Sequence, residues 1–493
     1  MSWWILWDIV SGKRPKFGRR EVSIRAHLPT FSLSTLITIH NYKEKRMARS
    51  KGKKVRYNKE HILSVPPATD IISELPRHLR ETIVGFLPIE DAVRTSILSR
   101  KWRYCWTMIP NLIFEDTFVD RIMDRLIDYD DPELKAFKFV SVINKILLLH
   151  NGPIVKFSFN FDQRFCDSRI FHDYIDQWIP LLSRKGIKQL VLEDKEVGEF
   201  SAHHFSSLNL THMKLIHVWF PYAPTFRVFP YLTDLELIHV EMMDLANSRQ
   251  RIFECPVLEK LTLILCDGIL PTNFSAPKLK CLYQSSYKIT SENYFAGLEN
   301  LTEFSFSLIE KSQTQTKRSN VDHVLGSLSN IEKFSVAMEF MQYLAAGHRL
   351  KTLSKPLLCL KTLNISDIYL NKLSEVSCLI CLIRSAPNLC LLNISAKYVA
   401  KGDFKKYRMK DFEECTMDHL EMVTFSYFKG FKAEMKLVKF LLACSPLLKK
   451  MSIHSHEDLE KDVALMMFEE ILQYPAASSR VQIQHTTSAE IDV

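Results

Sequence analysis

The chain has 493 residues, 46% hydrophobic and 25% charged, an ordinary balance for a folded protein with a sizeable core. With 13 glycines, no sustained heptads and abundant large apolar side chains, it excludes collagen, coiled coil and wholesale disorder, and no run of about 18 apolar residues offers a membrane span. The net charge of +9 is local: residues 1–69 hold 15 Lys+Arg against 4 Asp+Glu, and the other 424 hold 50 against 52, so the body lacks the spread positive charge that nucleic-acid binding needs.

Residues 1–69 read as a basic extension. Lys43, Lys45, Arg46, Arg49, Lys51, Lys53, Lys54 and Arg56 make a solvated arm, with a nuclear-import signal as the alternative reading. Val65-Pro66-Pro67 closes it, and Met47 is a second feasible start. The apolar start Trp3-Trp4-Ile5-Leu6-Trp7 is short, is interrupted by Asp8 and lacks a basic flank, which disfavours a signal peptide. The 11 cysteines are odd in number and mostly set in apolar runs, as expected of buried thiols in a reducing compartment.

Residues 70–116 predict three short helices. Pro76 suits a first helical turn, and Leu79, Ile83 and Phe86 follow at helical spacing until Gly85 and Pro88 end the segment. A second helix starts near Ile89, with Glu90 and Asp91 in its first turn and Ile89, Val93 and Ile97 on one face. A third follows Ser99, with Trp102, Trp106 and Ile109 at i, i+4, i+7 and Pro110 as its stop. A domain this small cannot enclose that much apolar surface. Its tryptophans are expected to stay bare until the next domain or a partner covers them.

Ile72-Ser73-Glu74-Leu75-Pro76, Ile83-Val84-Gly85-Phe86-Leu87-Pro88 and the run from Asp91 to Arg103, with Ser96-Ile97-Leu98-Ser99-Arg100-Lys101-Trp102-Arg103 and then Trp106, resemble the plant F-box. The resemblance implies docking on the Skp adaptor of a cullin–RING ubiquitin ligase. Carried over, Leu75, Pro76, Ile83, Leu87, Val93, Leu98 and Trp102 would lie at or behind that interface.

From Ile154 onward an apolar triplet at i, i+3, i+5 recurs. Its members are Ile154/Phe157/Phe159, Ile187/Leu190/Leu192, Leu210/Met213/Leu215, Leu232/Leu235/Leu237 and Leu258/Leu261/Leu263. After a weak Leu279/Leu282 come Leu301/Phe304/Phe306, Ile331/Phe334/Val336, Leu360/Leu363/Ile365, Leu389/Leu392/Ile394, Leu420/Val423/Phe425 and Leu448/Met451/Ile453. Intervals of 21 to 33 residues fit irregular leucine-rich repeats over 150–410, whose strands stack into one parallel sheet. A plain α/β sheet with crossover helices is the competing architecture. Val218, Val240, Cys266 and Ile368 stand where a regular repeat carries Asn or Cys, which puts regular curvature in doubt.

Residues 411–483 resemble the plant FBD domain through Val423-Thr424-Phe425, Phe428-Lys429-Gly430, the run Glu434 to Leu441, Leu448 to Ile453 and Val481-Gln482-Ile483, leaving 484–493 as a tail. The expected fold class is α/β: a small three-helix F-box, an irregular leucine-rich-repeat solenoid of parallel strands and helices, and a capping FBD strand–helix unit.

No Gly-rich phosphate loop or His-Glu-x-x-His motif occurs. His203-His204 and His212 lack a carboxylate or cysteine at ligand spacing, and Cys378 and Cys381 lie in an apolar run better read as core. Cys166 and Cys255 have no local His partner. No catalytic residue, metal or cofactor is therefore assigned. Residues between the buried triplet positions would face a protein partner: Gln189, Asp234, Glu236, Lys260, Thr262, Glu303, Lys333 and Asn364. The expected role is a non-catalytic substrate-recognition subunit of an SCF-type E3 ubiquitin ligase in the nucleus and/or cytoplasm, with a Skp adaptor, through it cullin, and an unidentified protein substrate as partners. A non-degradative scaffold and a nuclear nucleic-acid protein using the basic arm are the alternatives; a membrane partner is not expected.

Overall fold

The computed structural model describes residues 71–124, 126, 131–161, 169–199, 208–220, 228–242, 253–287, 300–309, 325–326, 328–337, 340–342, 352–353, 355–370, 372–397 and 416–487. The basic arm, Cys166, His203 and His204 lie outside them. The chain divides into two compact units, Met1–Leu208 and Asn209–Val493.

In the first unit, α1 (Arg77–Gly85) starts after Pro76 and α2 (Ile89–Arg94) after Pro88, where the missing proline N–H costs no helical bond. A 3-10 turn, Thr95–Ile97, continues α2. The expected third helix is instead a turn followed by one 3-10 segment, Cys105–Met108. The reason is competition for carbonyls: the Arg80 guanidinium takes Lys101 O, and Ser96 Oγ takes Arg103 O at 2.8 Å. Those acceptors are lost to a regular i to i+4 ladder.

The parallel sheet begins directly afterwards, ahead of Ile154. β1 (Asn111–Phe114) is followed by α3 (Asp116–Met123) and α4 (Pro132–Leu149), then β2 (Lys156–Phe161), α5 (Arg169–Arg184) and β3 (Gln189–Glu199). Leu112 pairs with Phe157 and Phe157 with Leu190, so Ile109/Leu112/Phe114 is one further triplet. Phe114, Phe118, Phe139, Phe157, Phe159 and Trp178 make the core under this sheet, with neighbouring rings such as Phe159 and Trp178 at 5.3 Å in edge-to-face contact. The helical segment is stitched to this sheet. Asn151 and Gly152 donate to Thr107 O, Val155 donates to Pro110 O, and buried His150 meets Ile109 O at 2.8 Å. A Cβ on Gly152 would stand 3.0 Å from the Met108 Cα, so any larger residue would crowd the Met108 backbone.

The second unit stacks β4 (His212–Phe220), β5 (Asp234–Ile238), β8 (Lys260–Ile264), β10 (Cys281–Ser286), β11 (Glu303–Leu308), β12 (Lys333–Ala337), β13 (Thr362–Ile368), β14 (Leu391–Ala396), β15 (Met422–Phe428), β16 (Lys450–Ser455) and β17 (Gln482–Thr487) in that order. Short β6 (Glu241–Met242) pairs with β4, and β7 (Phe253–Glu254) with β9 (Phe274–Ser275). The expected triplets fall in register: Met213, Leu235, Leu261, Leu282, Phe304, Phe334, Leu363, Leu392, Val423 and Met451 are successive partners, and Ile483 adds one more. The carbonyl before each strand from β4 to β15 on the main path accepts two N–H groups from the next repeat, as Glu332 O does from Lys361 and Thr362. The sheet and its repeat register establish the solenoid over a plain crossover sheet.

His217, His239, Leu265, Asp367 and Tyr427 all adopt left-handed φ values, from 52° to 59°, four residues after the middle triplet position. The residue after each turns inward: Val218, Val240, Ile368 and Phe428 are fully buried, and Cys266 is half-buried. This kink, with an apolar plug behind it, replaces the asparagine ladder in leading the chain out of the sheet. Helices α6 (Leu373–Arg384), α7 (Lys432–Cys444) and α8 (Lys461–Leu472) connect the last strands. At two of these exits a buried glutamate satisfies the loop: Glu375 accepts from Tyr369 N at 3.0 Å and Gln342 Nε2 at 3.1 Å, and Glu434 from Phe431 N at 2.8 Å.

Gly430 sits at φ 74° with its missing Cβ position 2.7 Å from Met467 Sδ. Gly430→Ala is therefore expected to lower stability by about 1–3 kcal/mol in a denaturant titration. Glu375→Ala, which strands the buried Tyr369 N–H, is expected to cost about 1–3 kcal/mol in the same measurement.

Candidate functional site

The helical segment presents one face built on a rigid floor. Trp102 and Trp106 are each 1% exposed, with Val84, Val93 and Ile109 buried around them. This corrects the expectation that the tryptophans stay bare: the chain itself covers them. The floor is tied by Arg80, whose Nε donates to Leu75 O at 3.1 Å while its Nη1 reaches Lys101 O. Ser73 Oγ bonds Ser99 Oγ at 2.9 Å, closing the start of the segment onto its turn. Below, Arg94 pairs with Asp91 at 2.8 Å, and Arg121 approaches both Asp91 and Glu90. Burial raises the Glu90 carboxyl above its ordinary value.

What remains bare is aliphatic and phenyl surface on α1. Leu79, Ile83 and Phe86 lie at i, i+4, i+7 and are 42%, 38% and 81% exposed. Ile71, Ile97 and Tyr104 are exposed as well. Of the sequence-derived positions, Pro76 and Ile83 are exposed, and Leu75, Leu87 and Leu98 are half-buried. Val93 and Trp102 are buried and stand behind the face. Leu79, Phe86, Ile97 and Tyr104 are exposed on this segment too, and the sequence reading did not name them among the interface positions. The Leu79–Ile83–Phe86 period was the available signal, but it reads equally as a core stripe until tertiary packing assigns its neighbours.

A second face is the polar side of the sheet in the second unit. Register makes Asp234, Lys260, Cys281, Glu303, Lys333 and Thr362 successive neighbours in one row, and Glu236, Thr262, Tyr283, Ser305, Ser335, Asn364 and Asn393 in the next. Lys260 Nζ lies 3.4 Å from Asp234 and 3.2 Å from Glu236, whose other oxygen is 3.2 Å from Lys214. Lys333 pairs with Glu303 at 2.6 Å, and Lys260 stands 5.7 Å from the Tyr283 ring centroid. Burial pushes the Glu236 and Glu303 carboxyls up, but hydrogen bonds from Lys260 and Lys214, and from Lys333 and Tyr283, hold both below the usual carboxylate range. Beyond β12 the charges give way to amides: Asn364 Nδ2 donates to Ser335 Oγ and Asn393 Nδ2 to Asn364 Oδ1, each at 2.8 Å. The structure thus brings Asp234, Glu236, Lys260, Thr262, Glu303, Lys333 and Asn364 onto one face. Gln189 opens β3 in the other unit, beside Lys156.

No group of three or more His, Cys, Asp or Glu able to hold a metal occurs among the described residues. His212 Nδ1 is engaged by Thr211 Oγ1 at 2.9 Å. Cys381 is buried, and burial pushes the Cys378 thiol up to about 12, as suits packing cysteines.

Three family models match this chain: the F-box domain over residues 72–114, the LRR repeats of FBD-associated F-box protein At5g56370 over 175–394, and the FBD over 413–453. The F-box/FBD/LRR-repeat protein At1g13570 of Arabidopsis thaliana is 33% identical over 425 residues, covering 84% of this chain and 98% of that protein. The chain belongs to the plant F-box/FBD/LRR-repeat family. Other Arabidopsis thaliana relatives are F-box/LRR-repeat protein 13, 25% identical over 84% of this chain and 96% of its own, and the probable FBD-associated F-box protein At1g32375, 23% identical over 80% and 96%. The bare α1 stripe thus belongs to the F-box, and the polar sheet face runs from the LRR repeats into the FBD. An F-box joined to leucine-rich repeats indicates a substrate-receptor role for this F-box/FBD/LRR-repeat protein.

The buried and exposed apolar residues of the F-box are separable by mutation. Trp102→Ala is expected to cost about 3–5 kcal/mol of stability, whereas Phe86→Ala leaves the thermal midpoint of the full chain unchanged, as differential scanning calorimetry would record.

Proposed function

We propose that this chain is the substrate-recognition subunit of an SCF-type (Skp–cullin–F-box) E3 ubiquitin ligase, holding the Skp adaptor with its F-box and a target protein with its repeats. The observation that carries the reading is the Leu79–Ile83–Phe86 stripe: apolar, solvent-facing, and set on the F-box over a locked tryptophan floor. An exposed apolar patch rimmed by polar residues is the ordinary mark of a protein interface. Pro76, Leu75, Leu87 and Leu98 border the stripe in sequence and would complete the contact.

Such a subunit needs no reactive side chain of its own. Its contribution is to bring a substrate lysine near a thioester carried by another subunit, so that a bimolecular encounter becomes effectively intramolecular. The polar sheet face suits the receptor end. Lys214, Lys260 and Lys333 are paired with carboxylates and its later rows carry amides and hydroxyls, which favours hydrogen bonding to a protein over capture of a polyanion.

Phe86→Glu combined with Leu79→Glu is expected to abolish co-purification of a Skp adaptor while leaving the thermal midpoint intact. Asn364→Ala with Asn393→Ala is expected to preserve adaptor binding and to reduce ubiquitination of a captured target in a reconstituted ligase. A wild-type chain that binds no Skp adaptor would remove the ligase reading.

A further inference from the structure

One margin of the sheet in the second unit carries charge in a fixed order. The residues whose carbonyls are shared at the strand starts read Glu259, Lys280, Thr302, Glu332, Lys361, Cys390, Glu421 and Lys449 from β8 to β16, each accepting the N–H of the next. A glutamate–lysine pair therefore recurs every three strands, about 14 Å apart at ordinary strand spacing. Glu259 and Lys280 are 3.1 Å apart, Glu332 and Lys361 2.9 Å, and Glu421 and Lys449 2.7 Å, and the six side chains are 43% to 64% exposed. One uncharged residue, Thr302 or Cys390, separates successive pairs.

Read backwards, this row is its own complement. Glu259 falls against Lys449, Lys280 against Glu421 and Glu332 against Lys361, while Thr302 falls against Cys390. No acid meets an acid and no base meets a base. The flanking row, two residues earlier in each repeat, obeys the same reversal: Asn330 falls against Cys359, Asn300 against Asn388, Val257 against Leu447 and Lys278 against His419. Leu447 is 54% exposed. His419 Nδ1 donates to Pro387 O at 3.1 Å, which leaves Nε2 of the neutral ring to accept from a lysine.

We propose that this margin is a homotypic interface, along which two copies of the chain meet across a twofold axis passing between β12 and β13. The order of the charges singles out a copy as the occupant, because a twofold axis performs the reversal under which every acid meets a base. A polyanion or a polycation would meet like charge at three of the six positions. Each glutamate then stands between its own lysine and a lysine of the other copy. Exposed pairs hold little energy within one chain, so sharing them costs little. Seven strand spacings make the row about 34 Å long, a narrow contact that gives a weak, salt-sensitive dimer. An isologous contact of this kind closes at two copies. It draws on no feature of the F-box and is independent of adaptor binding.

Sedimentation equilibrium of the full-length chain is expected to show a monomer–dimer equilibrium whose Kd rises with salt. Glu332→Lys and Lys361→Glu, at exposed sites beside the axis, are each expected to raise that Kd by about tenfold or more with no change in thermal midpoint. Mixing the two variants is expected to restore a dimer containing one of each, which a merely weakened fold would not do. Thr302→Cys treated with diamide is expected to form a disulfide-linked dimer through Cys390 of the other copy, and to lose it when Cys390→Ser is added. Within one chain the two positions are three strands apart, about 14 Å, too far for that bond. A chain that stays monomeric at every concentration, a Kd indifferent to salt and charge reversal, failure of the mixed pair to recover, or no cross-link from Thr302→Cys would each overturn the proposal.

Discussion

The structure rests on one constraint: a short strand with an apolar face cannot bury that face alone. Each repeat supplies two or three inward side chains, and only the next strand in parallel register covers their flanks. The alignment is strict because a slip of one residue would turn each inward side chain out to water. Leu363, for example, lies between Phe334 and Leu392, all three fully buried. The shared carbonyls at the strand starts add a backbone lock to the same register.

That register also writes the polar face. Once the inward positions are aligned, the residues between them align too, and side chains from separate repeats become neighbours. Lys260 reaches carboxylates of the preceding strand, and Lys333 reaches Glu303. Along the margin of the sheet, Lys280 pairs with Glu259, Lys361 with Glu332 and Lys449 with Glu421, each one repeat apart. Exposed pairs of this kind contribute little to stability individually. Their effect is to leave few free charges on the sheet, so hydrogen-bonding groups dominate what a partner meets there.

In the F-box the division of labour is between floor and face. Arg80 and Ser96 capture carbonyls that a third helix would have used, and the resulting turn drives Trp102 and Trp106 inward. With large rings below, α1 can carry Leu79, Ile83 and Phe86 outward on a stiff support. Gly152 lets the first crossover seal the floor from beneath.

The sequence by itself determined the fold class, the repeat register and the membership of the F-box, because periodicity, proline placement and motif strings are local properties. It also marked the polar-face residues, since inward and outward positions alternate along a strand. It could not assign the third segment of the F-box: helical spacing of Trp102, Trp106 and Ile109 was present, but the side chains that take the competing carbonyls come from 7 to 21 residues away. Nor could it decide which apolar residues of the F-box are core and which are face, because Leu79 and Val84 look alike until neighbours are in place. The left-handed exits at His217 and Tyr427 and the buried Glu375 and Glu434 belong to the tertiary structure alone. Each depends on what a distant segment does, or fails to do, beside it.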